Sequence, residues 1–138
     1  MRVLVTGSRN WVDRDAIYSM MIAQWDKAGR GPMTLVTGAQ RSYNAKTKTF
    51  YGADYLAESV AHELGWEVEQ FPADWDTYGR AAGPIRNAVM VEKGADVCLA
   101  FPMTGSRGTI DCMRRAKVAG IPVIVRTPAM AVGAPWDG

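Results

Sequence analysis

An α/β chain is predicted here, with a Rossmann-like three-layer fold and a five-stranded, mainly parallel sheet covered by helices on both faces. Three observations predict it. Short apolar runs alternate with helical periodicities along the chain, the pattern of βαβ units. The strand-like runs end repeatedly in glycine turns that hand over to a helix. The stretches after those runs, Gly7–Asn10, Gly38–Tyr51, Pro72–Arg80 and Gly105–Thr109, carry glycine and polar side chains. In a parallel sheet they emerge together at the C-terminal strand edge, where ligands of such folds sit.

The elements follow in order. Arg2–Thr6, RVLVT, is a β-branched run and reads as a buried first strand. Gly7-Ser8-Arg9-Asn10 turns the chain, and Asp13 is placed to cap the next helix. Ile17, Met20, Met21, Trp25 and Ala28 fall on one helical face that Gly29 ends. Met33–Thr37 is the second strand, closed by Gly38-Ala39. Gln40–Tyr51, QRSYNAKTKTFY, is polar, basic and aromatic, with an alternation that suits a short hairpin or a flap. Gly52-Ala53-Asp54 opens a helix whose Leu56, Val60 and Leu64 face inward and which Gly65 stops. Trp66–Phe71 is the third strand, and Pro72–Ala82 a loop. Gly83-Pro84 starts a helix carrying Arg86, Asn87, Met90 and Val91, with proline early, where its missing N–H costs little. Asp96–Phe101 is the fourth strand, followed by a glycine turn and a helix from about Thr109 to Ala119. Pro122–Arg126 is the fifth strand. One domain over 1–127 is expected, with 128–138 a loosely ordered tail.

Composition narrows the function classes. Hydrophobic residues at 48% and charged residues at 22% describe an ordinary globular chain. A net charge of +2 makes no case for nucleic acid or a membrane surface. No apolar run is long enough to span a bilayer, and strand-like sequence begins at Arg2, where a secretory signal would stand. A cytoplasmic protein without membrane contact is expected. Cys98 and Cys112 fit no metal spacing and are expected as reduced, partly buried thiols. No metal or cofactor motif is present in the sequence.

The candidate site is built around Gly105–Thr109. Glycines let backbone N–H groups approach a ligand, and a helix start offers unpaired donors with partial positive charge. Ser106, Arg107, Gly108 and Thr109 would hold phosphate; the alternative is a plain helix start capped by Thr109. Gly7, Ser8 and Arg9 would meet a second phosphate or a ribose, or form a solvated turn. Gly38 lies on the same rim. Asp54 would accept from a ribose hydroxyl or cap its own helix. Arg86 would pair with phosphate or with Asp111, or form a buried structural ion pair, with Asn87 beside it. Trp75 and Tyr78 would stack a base or simply pack. Tyr43, Lys46, Lys48, Phe50 and Tyr51 suit a lid, a dimer contact or an exposed basic loop. His62, the single histidine, is expected to be a surface or packing residue.

VTGSRNW at Val5–Trp11, GAD at Gly52–Asp54, PADWDTYGRAAGPIRNAVM at Pro72–Met90 and FPMTGSRGTID at Phe101–Asp111 together resemble the SLOG superfamily, and within it the YspA-type proteins. The likeness runs from about Arg2 to Arg126. That superfamily also holds the Lonely Guy phosphoribohydrolases, DprA-like DNA-binding proteins and sensor domains for nucleotide-derived signals. The resemblance implies a Rossmann-like fold, a nucleotide-derived small-molecule ligand and a homo-oligomer, often a dimer. A sensor or sequestering protein for an NAD-like, ADP-ribose-like or signalling nucleotide is the first expectation. The alternative is a phosphoribohydrolase acting on nucleoside monophosphates, with Arg86 and Asp111 as catalytic pair. DNA binding of the DprA kind is disfavoured by the low charge. Two departures stand out. The hydrolases carry PGG-x-GT-x-x-E, whereas here Met103 and Thr104 separate Pro102 from the glycines and Cys112 takes the glutamate's place. Asp111 is one residue earlier, a rotation of about 100° on a helix. Gln40–Tyr51 also looks inserted relative to that family.

Overall fold

The computed structural model describes residues 1–138. In chain order it contains β1 (Arg2–Gly7), α1 (Arg14–Lys27), β2 (Thr34–Thr37), β3 (Ser42–Asn44), β4 (Thr49–Tyr51), α2 (Ala53–Leu64), β5 (Glu67–Gln70), α3 (Trp75–Tyr78), a 3-10 turn at Gly79–Ala81, α4 (Ala82–Lys93), β6 (Val97–Phe101), α5 (Arg107–Val118), β7 (Val123–Val125) and β8 (Ala134–Pro135).

The central strands are buried on both faces. An extended chain sends successive side chains to opposite sides. Val3 and Val5 of β1 and Val97, Leu99 and Phe101 of β6 join one core, with Ile17, Met20 and Met21 of α1 and Leu56, Ala57 and Val60 of α2. Leu4, Cys98 and Ala100 join the other, with Met90 and Val91 of α4 and Cys112, Met113 and Ala116 of α5. Helices therefore cover both sides of the sheet, as the apolar runs require. No helix is long and apolar enough to cross a membrane.

The main sheet has the order β5-β2-β1-β6-β7-β8. All its pairs are parallel except β7 with β8. β1 lies between β2 and β6, with Val3 opposite Leu35 on one side and Val97 on the other. Connections leave β1 towards β2 and later resume on its far side at β6. The crevice above β1 and β6 is thus the topological switch point of the sheet.

The structure corrects four details. The sheet has six strands rather than five. The sixth comes from the tail: Pro135 and Ala134 pair with Ile124 and Val125, and the Trp136 amide donates to the Val123 carbonyl at 2.9 Å. An edge strand such as β7 presents unpaired backbone groups, and the tail satisfies part of that row. α5 begins at Arg107, two residues before the expected Thr109, because Gly105 completes the turn in the left-handed region (φ 80°) and leaves Ser106 as the N-cap. Pro72–Ala82 is not plain loop; Asp74 accepts from the Thr77 amide and caps the short α3, which leads through the 3-10 turn into α4. Cys98 and Cys112 are free but wholly buried, not partly, because both lie on inward faces of β6 and α5. Gln40–Tyr51 contains the hairpin, with Tyr43 opposite Phe50.

Gly7 shows how tightly the switch point is built. A β-carbon there would lie 2.4 Å from the Ala53 β-carbon and 2.9 Å from that of Phe101. Only a missing side chain lets the start of α2 seat against the end of β1. Gly7→Ala is expected to destabilise the fold by about 1–3 kcal/mol, the usual cost of overpacking, read as a lower urea midpoint at unchanged slope.

Candidate functional site

The turns at the C-terminal ends of β1, β2 and β6, with the starts of α2 and α5 and the second turn of α4, enclose one cleft of about 310 Å³. Its lining is polar, with Val5 and Met90 the apolar members. Gly7, Ser8, Arg9, Gly38, Asp54, Arg86, Asn87 and the whole Gly105–Thr109 turn line it together. Sequence spacing alone missed Thr6, Asn10, Gln40 and Thr104, which also line it. Asn10 and Thr104 are direct neighbours of recognised turn residues, so the turns themselves were the available signal.

Each turn is held by local chemistry. The Ser8 amide donates to the Phe101 carbonyl at 2.9 Å, and the Ser8 hydroxyl accepts from the Asn10 amide at 3.0 Å. The Ala53 amide donates to the Ser8 carbonyl at 3.0 Å and locks α2 beneath the first turn. In the last turn the Ser106 hydroxyl accepts from the Met103 amide at 3.0 Å, so it folds the loop rather than capping the helix. The alternative, a helix start capped by Thr109, is therefore absent: Thr109 is the third helical residue. The Gly108 and Thr109 amides have no acceptor within the chain, as the first turn of a helix dictates.

Three arginines, Arg9, Arg86 and Arg107, line the cleft. Arg86 is half-buried and firmly held. Its Nη1 donates to the Gly38 carbonyl at 2.6 Å and the Phe71 carbonyl at 3.3 Å, and its Nε to Asn87 Oδ1 at 2.8 Å. A β-carbon on Gly38 would stand 2.3 Å from Nη1, so this docking requires glycine there. Burial lowers the Arg86 pKa, while the nearby Asp54 opposes that shift. Asn87 Nδ2 donates to the Gly108 carbonyl at 3.2 Å and to Asp111 Oδ2 at 3.0 Å, joining α4 to α5.

Asp54 is the one acidic residue of the lining. It is 7% exposed. Its Oδ2 accepts from the Gln40 amide at 3.2 Å, and it makes no cap to its own helix. Burial pushes its carboxyl from 3.8 up to about 7, against the Gln40 hydrogen bond and the charges of Arg86 and Arg9. Glu58, one turn on, accepts from Thr37 at 3.0 Å and from Gln70.

Other expected members do not enter the cleft. Asp111 accepts from Arg115 at 2.9 Å as well as from Asn87, and it faces the groove between α4 and α5. Arg86 and Asp111, the pair expected if the chain is an enzyme, share no hydrogen bond or ion pair: Arg86 bonds Gly38, Phe71 and Asn87, and Asp111 bonds Asn87 and Arg115. At the hydrolases' glutamate position, burial pushes the Cys112 thiol up to about 12 despite a hydrogen bond with Thr6. Trp75 stands outside the lining with Arg9 above its ring, 5.5 Å from the centroid. Tyr78 is exposed and outside the lining too. In the hairpin, the Ser42 hydroxyl donates to the Arg9 carbonyl at 2.8 Å and anchors it to the first turn.

The model of the YspA, cpYpsA-related SLOG family matches residues 1–78, which include the Gly7–Arg9 turn and the start of α2. The chain belongs to that family. It is 41% identical over 128 residues to the Gene 61 protein of Mycobacterium phage D29, covering 89% of this chain and 94% of that protein. Among solved structures it is similar to DNA processing protein A (DprA) from Streptococcus pneumoniae, with a TM-score of 0.60 at 15% identity over 90% of this chain. The alignment spans about half of that longer chain, 49%, and the likeness is one of fold. Membership of the SLOG family points to a nucleotide-related ligand.

Burial of Asp54 makes the stability of the chain depend on pH. Its carboxyl ionises near 3.8 in the unfolded chain and near 7 in the folded one. As pH rises the unfolded state sheds this proton first, so the Asp54 contribution to stability is complete below about pH 4, declines towards pH 7 and is flat above it. Asp54→Asn removes that dependence. Urea titrations are expected to find the variant more stable than the native chain at about pH 8, by up to roughly 4 kcal/mol, with the gap closing towards about pH 4.

Proposed function

We propose that the chain binds a nucleotide-derived small molecule at the C-terminal edge of its sheet. The phosphate rests on the Gly108 and Thr109 amides within reach of Arg107 and Arg86. The observation that carries this reading is the concurrence, in one polar cleft, of unpartnered helix-start amides and three arginines. Backbone amides at a helix start favour anions, and guanidinium groups bind phosphate oxygens with charge-assisted hydrogen bonds. Ser8 and Arg9, across the cleft, suit a second phosphate or a ribose. Trp75, under Arg9, suits a base that extends out of the cleft. NAD-like, ADP-ribose-like and signalling nucleotides all fit this order of groups. With Asp111 bonded to Arg115 and Asn87, binding without turnover is the reading the geometry favours, and it suits a sensor or a sequestering protein.

Mass spectrometry of small molecules released from the purified protein by heat is expected to yield a phosphate-bearing nucleotide. A thermal-shift panel of NAD, ADP-ribose, cyclic nucleotides and monophosphates is expected to find a compound that raises the melting temperature; at a hundredfold excess over Kd the stabilisation is about 2.7 kcal/mol. Arg107 is exposed, so Arg107→Ala should leave the melting temperature without added ligand unchanged. It should weaken that ligand by about tenfold or more. A panel in which no anion stabilises the chain would overturn the reading.

A further inference from the structure

Asp54 is a puzzle in an anion site. The cleft gathers Arg9, Arg86 and Arg107, yet its floor carries a carboxyl group with one oxygen on the Gln40 amide and the other, Oδ1, without a partner in the chain. A carboxylate in the lining of that cleft repels an arriving phosphate. A carboxylic acid there does the reverse: it is neutral, and its O–H donates to a ligand oxygen. We propose that Asp54 makes anion capture proton-linked, so that a phosphate-bearing ligand enters the cleft together with one proton, which resides on Asp54. This deepens the nucleotide-binding reading and rests on it.

The surroundings leave Asp54 as the group responsible. Arg86 on α4 and Arg9 on the first turn act on it as fixed positive charges, and Glu58 on its own helix as a negative one. Arg107 on α5 lines the same space. Cys112 on α5 is held as a neutral thiol by burial. The Gln40 amide does not titrate. Two other groups ordinarily titrate near neutrality, and both are remote. His62 is eight residues on from Asp54 in the last turn of α2, about 12 Å along the axis. The N-terminal amine donates to the Pro32 carbonyl at the opposite edge of the sheet. The unliganded Asp54 carboxyl, near 7, is already poised between its two forms, and an anion beside it shifts the balance to the acid.

Sulfate is the probe, because it stays a dianion through the whole range while phosphate esters themselves titrate. Its affinity is measured by calorimetry on the full chain from about pH 5.5 to 8.5, in two buffers of different ionisation enthalpy. The native chain is expected to bind with constant affinity below about pH 6.5 and to lose roughly tenfold per pH unit above about 7.5. Close to one proton is taken up per sulfate at about pH 8. Asp54→Asn, a neutral group of the same shape, is expected to bind sulfate with a flat profile and no proton uptake. The proton count on the native chain stands independently of how the variant folds. A flat native profile without proton uptake overturns the proposal, as does an Asp54→Asn profile that parallels the native one. Failure of sulfate to bind native chain at any pH removes the anion site itself, and the proposal with it.

Discussion

A chain of hydrogen bonds centred on Arg86 fixes the rim of this molecule. From α4, Arg86 holds the Gly38 carbonyl after β2 and the Phe71 carbonyl after β5, and passes through Asn87 to the Gly108 carbonyl and Asp111 of α5. Four elements remote in sequence are thereby held by two adjacent side chains. Without that tie, the loop after β5 would lose its bond to α4, and the loop after β2 would keep its bond from the Gln40 amide to Asp54 of α2. With it, the start of α5 keeps a fixed position relative to the second strand, and its unpaired amides belong to the lining of the cleft. Preorganised donors cost no ordering when a ligand arrives, which is the physical advantage of building the rim from structural bonds.

The same residues give the cleft its charge pattern. Arg86 spends Nη1 and Nε on the protein and remains a cation beside Asp54. Asp54 is deep enough for desolvation to outweigh that attraction. The acid is therefore held near neutrality by two opposing effects, and it answers to any third charge placed between them. A surface carboxylate in the same company would be screened by water and would respond far less.

Much of this was legible in the chain itself. β-branched runs buried on both faces announced the parallel sheet, and the glycine turns after them located the rim. Twelve expected residues, from Gly7 to Thr109, line one cleft: the turns after parallel strands share an edge with the starts of α2 and α5, and Arg86 and Asn87 reach it from α4. What could not be read depends on partners distant in sequence. The bond that turns Asp111 away from Arg86 is made by Asn87, from another helix. The protonation of Asp54 depends on depth, which no local pattern encodes. The tail lacks periodicity because two residues suffice to extend an edge. Trp75 and Tyr78 looked alike as loop aromatics, but only Trp75 has Arg9 over its ring.

The hairpin leaves the sheet beside Gly38 and returns at Gly52, whose amide donates to the Trp11 carbonyl, while Ser42 holds the Arg9 carbonyl. Both of its feet are pinned, and neither strand pairs with the main sheet. Its far end, Ala45–Lys48, is exposed. The arm can thus lengthen, shorten or carry a fluorescent label at its tip while the floor below stays in place, which makes it the natural handle for attaching a reporter to this protein.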